Sequence, residues 1–130
     1  MKKLMAALVV LSVVIVLTAA SCGGSGGSSS NGNGNDVHMG NTTFTQPSVT
    51  ISKGSNVNLI DDVAVLHIIS NGSWVNGVGT PMNEPGAPTV SNLQFNTVGQ
   101  SMNIGPFNTA GTYHIYCSVH QNMNLTVIVQ

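Results

Sequence analysis

Charge is what this sequence has least of. Its 130 residues include 3 Lys or Arg and 4 Asp or Glu. Lys2 and Lys3 stand at the extreme N-terminus, so residues 36–130 keep Lys53 alone against Asp36, Asp61, Asp62 and Glu84. Nucleic-acid binding depends on Lys and Arg neutralising phosphates, and this chain lacks the cations for it. Strong long-range steering of partners is excluded on the same ground. Helical periodicity is also missing: no stretch of residues 36–130 repeats its apolar positions at a spacing of three and four. Cysteine is scarce, with 2 in the chain, Cys22 and Cys117. Outside the cytoplasm an unpaired thiol calls for a reason, either burial as a small hydrophobe or service as a ligand or nucleophile.

The N-terminus reads as an export signal. Met-Lys-Lys is followed by an apolar run, Leu4 to Ala20, somewhat short for a transmembrane helix of about 20 residues. Thr-Ala-Ala-Ser-Cys-Gly (18–23) then resembles a bacterial lipobox, with Ala19 where Leu is more usual. Residues 1–21 are thus expected to be a lipoprotein-type signal peptide and Cys22 the lipidated residue. Residues 22–35 are almost entirely Gly, Ser and Asn and have nothing to bury. They read as a flexible tether reaching about 20 Å on average and about 45 Å when extended. A tethered domain meets membrane-bound partners at raised effective concentration. The remainder, 36–130, has the usual size of one domain.

That domain reads as all β. Val49 and Ile51 alternate with Ser48 and Thr50, and Val57 and Leu59 with Asn56 and Asn58, across a Lys-Gly-Ser turn signal at 53–55. Val63, Val65, His67 and Ile69 share a parity, so His67 is expected near the end of a strand, with Ser-Asn-Gly-Ser (70–73) as the turn after it. Residues 77–88, broken by Gly79, Pro81, Pro85 and Pro88, read as a long loop. Short strands follow around 90–95 and 102–104, then two clear ones at 111–117 and 125–129. Seven or eight short strands punctuated by Gly and Pro predict a Greek-key β-sandwich.

The chemistry lies in Gly-Thr-Tyr-His-Ile-Tyr-Cys-Ser-Val-His-Gln-Asn-Met (111–123). A thiol, an imidazole and a thioether fall at Cys117, His120 and Met123. Soft sulfur donors with imidazole suit copper over calcium, magnesium or manganese, and two His, one Cys and a weak axial Met form a blue-copper set. His67 is the best source of the second imidazole. His114 has the opposite strand parity to Cys117 and is excluded from a shared site. His38 lies beside the tether and is expected to be exposed.

The 111–123 segment resembles the cupredoxins, in particular the plastocyanin/amicyanin group. The aromatic strand ending in Cys-x-x-His is similar to plastocyanin, and the short Cys-x-x-His-x-x-Met loop is similar to amicyanin. The resemblance extends over most of residues 42–130. It implies one type 1 copper, with His67, Cys117 and His120 in the trigonal plane and Met123 axial. It also implies a monomeric carrier of single electrons with no enzymatic activity, serving redox proteins such as a cytochrome, an oxidase or a photosynthetic complex. The lipobox would anchor it on the outer face of the cell membrane or the periplasmic side of a membrane. Two positions depart from the family pattern. Ile68 replaces an Asn that usually braces the ligand loops. Val119 replaces a frequent Pro, and its retained N–H is expected to bond the Cys117 sulfur.

Rival readings follow from the same residues, among them a cupredoxin-like sandwich that has lost its metal, against which all four ligand types are present. An extracytoplasmic copper-handling protein would use similar ligands, but the Met residues are scattered rather than clustered. A copper enzyme needs further copper sites, and the chain has 4 His in all. A Cys–His hydrolase needs a third orienting group, which is not evident. Zinc accepts Cys and His, but Met beside a single Cys favours copper.

Overall fold

The computed structural model describes residues 34–130. The signal-peptide and lipobox readings, Cys22 included, and all of the tether before residue 34 lie outside the described residues. Nine strands are present: β1 (Asp36–Met39), β2 (Ser48–Ile51), β3 (Ser55–Asp61), β4 (His67–Val75), β5 (Val78–Pro81), β6 (Leu93–Phe95), β7 (Ser101–Phe107), β8 (Gly111–Cys117) and β9 (Asn124–Val129). They form a three-stranded sheet ordered β1-β3-β7 and a six-stranded sheet ordered β2-β9-β8-β4-β5, with β6 paired to β4. β1 lies parallel to β3 and β2 parallel to β9, while the other pairs are antiparallel.

Alternation decides most of the residues that enter the space between the sheets; in β7, where the pairing with β3 shifts register, the two inward residues lie three apart. Val57 and Leu59 of β3, Ile104 and Phe107 of β7, Ile115 of β8, and Leu125 and Val127 of β9 are all buried there. Each such side chain contributes about 1.5–3 kcal/mol through removal from water. The all-β sandwich expected from the sequence is the fold observed.

Three local expectations are corrected. β4 begins at His67 instead of ending there, because residues 62–66 bend away and Ser70–Ser73 continue the strand. Asn71 is accommodated because its side chain mimics a strand partner: Oδ1 accepts from Val90 N at 2.5 Å and Nδ2 donates to Pro88 O at 3.1 Å. At Gly72 (φ 134°) a Cβ would sit 2.3 Å from Thr80 O and 2.8 Å from the Tyr116 ring, so the residue serves close sheet packing and not a turn. The supposed loop 77–88 contains β5, which pairs with the end of β4. His38 lies within β1, where its Nδ1 contacts both Asp62 carboxylate oxygens, at 2.8 and 3.0 Å.

Candidate metal centre

The sheet register builds the site. Cys117, the last residue of β8, pairs with Ile69 of β4. His67 lies two residues before Ile69 and so shares its face, because side chains alternate along a strand. β8 then turns through 118–123 into β9. Cys117 N donates to Met123 O (3.0 Å) and Met123 N to His120 O (3.2 Å), closing a short loop. Asn122 adopts φ 63°, a left-handed conformation that Asn tolerates better than most side chains. Ser118 N donates to Ile68 O at 2.8 Å, so a backbone bond joins the two ligand segments at the position where the Asn brace is absent.

His67, Cys117 and His120 therefore converge, with one donor atom from each lying within 4.8 Å of the others. Cys117 Sγ is 3.5 Å from His120 Nδ1 and 3.9 Å from His67 Nδ1. The imidazole centroids are 4.9 Å apart and the rings inclined at 60°. These separations fit donors sharing one ion: bonds of about 2.1 Å to nitrogen and about 2.3 Å to sulfur place the donor atoms roughly 3.6–3.8 Å apart. His67 and Cys117 are fully buried and His120 is partly exposed, so one imidazole edge reaches solvent. Met123 is buried in the same loop. His114 stands apart, as its parity required; its backbone N–H and ring both contact the Glu84 carboxylate, tying the 82–88 segment to β8. The bond expected from Val119 N–H to Cys117 Sγ is not among the hydrogen bonds of the described residues. Val119 sits in the turn and is 46% exposed, and the polar neighbours of the sulfur are the two imidazoles.

Sequence reasoning missed Asp61. Its parity follows Val57 and Leu59 on the buried face of β3, and that was the available signal. Asp61 is fully buried, with Oδ1 3.7 Å from His67 Nε2 and accepting from Val63 N at 3.3 Å. His67 Nε2 and Asp61 Oδ2 have no hydrogen-bond partner. Burial pushes the His67 imidazole below its ordinary 6.5; the Asp61 carboxylate opposes this, His120 adds to it, and the Gly40 backbone opposes it weakly. A depressed folded-state value means that the unfolded chain binds the extra proton first. The stabilisation is thus complete above 6.5 and is lost as pH falls from there toward the folded value. The metal-free chain is expected to show lower urea midpoints below 6.5 than above it, and His67→Gln to flatten that slope. An unchanged slope in the variant would refute this origin.

The fold places the chain among cupredoxin-like β-sandwiches, and the His-Cys-His cluster fits a copper site. Amicyanins are among the solved structures it resembles. Amicyanin from Paracoccus versutus is 25% identical, with a TM-score of 0.55 over 73% of this chain and 79% of that one. A reduced tryptophan-to-tyrosine variant of amicyanin is 20% identical, with a TM-score of 0.56 over 76% and 85%. The reduced Cu(I) form at pH 4 of a proline-to-glycine variant gives 20% and 0.55 over 73% and 80%. No protein-family model and no curated protein sequence matches the chain.

Proposed function

We propose that residues 36–130 form a type 1 copper electron carrier, with His67, Cys117 and His120 as the principal ligands and Met123 as the weak axial one. The observation that carries this reading is the convergence of two imidazole Nδ1 atoms on one buried cysteine sulfur. A bound copper would supply the passage of one electron between Cu(I) and Cu(II). The protein's part is to keep the donors in place in both states, and it has the means: Cys117 is the end of a paired strand, His67 the start of its neighbour, and a backbone bond joins them.

Electrons would enter and leave near His120, the partly exposed ligand. Leu66 and Val119, each next to a ligand, are 45% and 46% exposed, and Val98, on the loop that bonds Asp61, is 62% exposed. With so little charge available, an apolar surface of this kind suits brief docking to redox proteins such as a cytochrome, an oxidase or a photosynthetic complex. The domain division, the extracytoplasmic location and the lipid anchor at Cys22 belong to the same proposal and rest on the sequence signals. The chain would work as a monomer and catalyse no reaction of its own.

The test is spectroscopic. The purified chain is loaded with Cu(II), and visible and electron paramagnetic resonance spectra are recorded. An intense blue thiolate-to-copper band with narrow copper hyperfine splitting is expected, cycling reversibly on reduction and reoxidation. A pale tetragonal Cu(II) signal, or retention of Cu(I) alone, would overturn the carrier reading in favour of copper handling.

A further inference from the structure

The hairpin of β4 and β5 grips the ligand loop from outside. Trp74, near the end of β4, donates its indole Nε1–H to the backbone carbonyl of Cys117 at 2.7 Å. Asn124, the first residue after the ligand loop, bonds Trp74 in both directions: its Oδ1 accepts from Trp74 N at 2.8 Å and its Nδ2 donates to Trp74 O at 3.2 Å. At the hairpin tip Gln121 Nε2 donates to Gly77 O at 3.3 Å. The Trp74 ring meets Tyr116 edge-on, with centroids 6.3 Å apart, over the bare backbone of Gly79. The loop carrying three of the proposed ligands is therefore held at its first residue, its middle and its far end by one hairpin.

β4 has already parted from β8 at this point, since their register covers Ile69, Ser70 and Asn71 only. Without the Trp74 and Asn124 side-chain bonds, no strand pairing would join the hairpin to the loop. Ile68, the residue after His67, offers no side-chain brace. We infer that Trp74 is a positioning residue for the copper site, fixing the Cys117 carbonyl and hence the sulfur by a hydrogen bond that adds to the Ser118–Ile68 backbone bond between the ligand segments. This rests on the copper reading above and deepens it. Trp74 touches no ligand donor atom; it acts through the Cys117 backbone.

Trp74→Phe tests it in the full chain: phenylalanine keeps an aromatic ring and loses the indole N–H together with part of the ring that packs on Tyr116 and Gly79, so a packing control is needed beside it. Ile115→Val serves as the control: it removes one buried methylene group from β8, the strand that ends in Cys117, and leaves the brace intact. Copper loss to a chelator is expected to accelerate about tenfold in Trp74→Phe, with a changed Cu(II) hyperfine splitting. Ile115→Val should lose copper at the wild-type rate even where its urea midpoint falls comparably. A Trp74→Phe protein with wild-type copper loss and an unchanged spectrum would overturn the proposal and leave Trp74 a packing residue. Should that variant not fold, Asn124→Ala, which removes the two side-chain bonds holding the Trp74 backbone against the loop, reads the same coupling: faster copper loss supports it and an unchanged rate overturns it. Failure of the copper reading itself shows separately, as absence of the blue band in the wild-type chain.

Discussion

Cys117→Ser is expected to abolish the blue absorption band entirely while leaving a folded β-sandwich. The spectrum depends on a thiolate, and a serine hydroxyl is not ionised near neutral pH, so the variant keeps the shape of the site without its soft donor. The fold should tolerate the exchange. Cys117 is fully buried, and a hydroxyl placed there without a partner would cost about 1–3 kcal/mol. Partners are at hand, because the sulfur position lies 3.5 and 3.9 Å from two imidazole nitrogens. Against a total stability of about 5–15 kcal/mol the residual cost leaves the domain folded. A second difference follows from linkage. Copper bound to the native state alone raises the unfolding free energy by about 4 kcal/mol when free metal exceeds the dissociation constant a thousandfold. The wild-type urea midpoint should rise on adding copper, and that of Cys117→Ser should rise far less. A blue band surviving in the variant would exclude Cys117 as the ligand.

The parts of this site that were legible in the sequence are those governed by parity and loop length. Tyr113, Ile115 and Cys117 were assigned one face of a strand and His114 the other; the first three are buried and His114 is half-exposed and bonded to Glu84. Cys117 and His120 lie three residues apart, and a tight turn brings them together almost of necessity. His67 lies in the cluster although it opens β4 instead of closing a strand. The Ser-Asn-Gly-Ser run looked like a turn because such residues usually satisfy their own backbone. Here Asn71 finds buried backbone partners at Pro88 and Val90, contacts some twenty residues away that no local pattern reveals.

Side chains that act across the sheet were the least visible. Trp74 stood at the edge of a supposed loop, and its partner carbonyl belongs to Cys117, 43 positions along the chain. Asn124 reads as an ordinary polar residue at a strand start until its amide is seen to serve Trp74 in both directions. Asp61 was countable only as one of four carboxylates, yet it shares the inward face of β3 and stands beside His67. β1 and β5 carry no clear strand signal: β1 directly follows the Gly, Ser and Asn tether, β5 contains the breakers Gly79 and Pro81, and each is defined by its pairing with a longer strand.

Phe95→Ala is expected to carry a large stability penalty and, beside a second core variant, separates the core from the site. Phe95 is fully buried and pairs with His67 across the β6–β4 register. Deleting a buried phenylalanine ring costs about 3–5 kcal/mol, a large share of a domain's stability. β6 has three residues, and Phe95 is its fully buried anchor; Gln100 secures its edge with bonds to Gln94 O and Asn96 N. With the ring gone, water should reach the buried side of His67, so copper exchange should quicken as the urea midpoint falls. Phe107→Ala is the discriminating companion. Phe107 is equally buried but packs against Tyr113 at the opposite end of β8, four residues and so about 13 Å along the strand from Cys117. Both variants should lose comparable stability, and only Phe95→Ala should accelerate copper exchange. Equal acceleration in the two would mean that global loosening, rather than support of His67 by β6, governs retention of the metal.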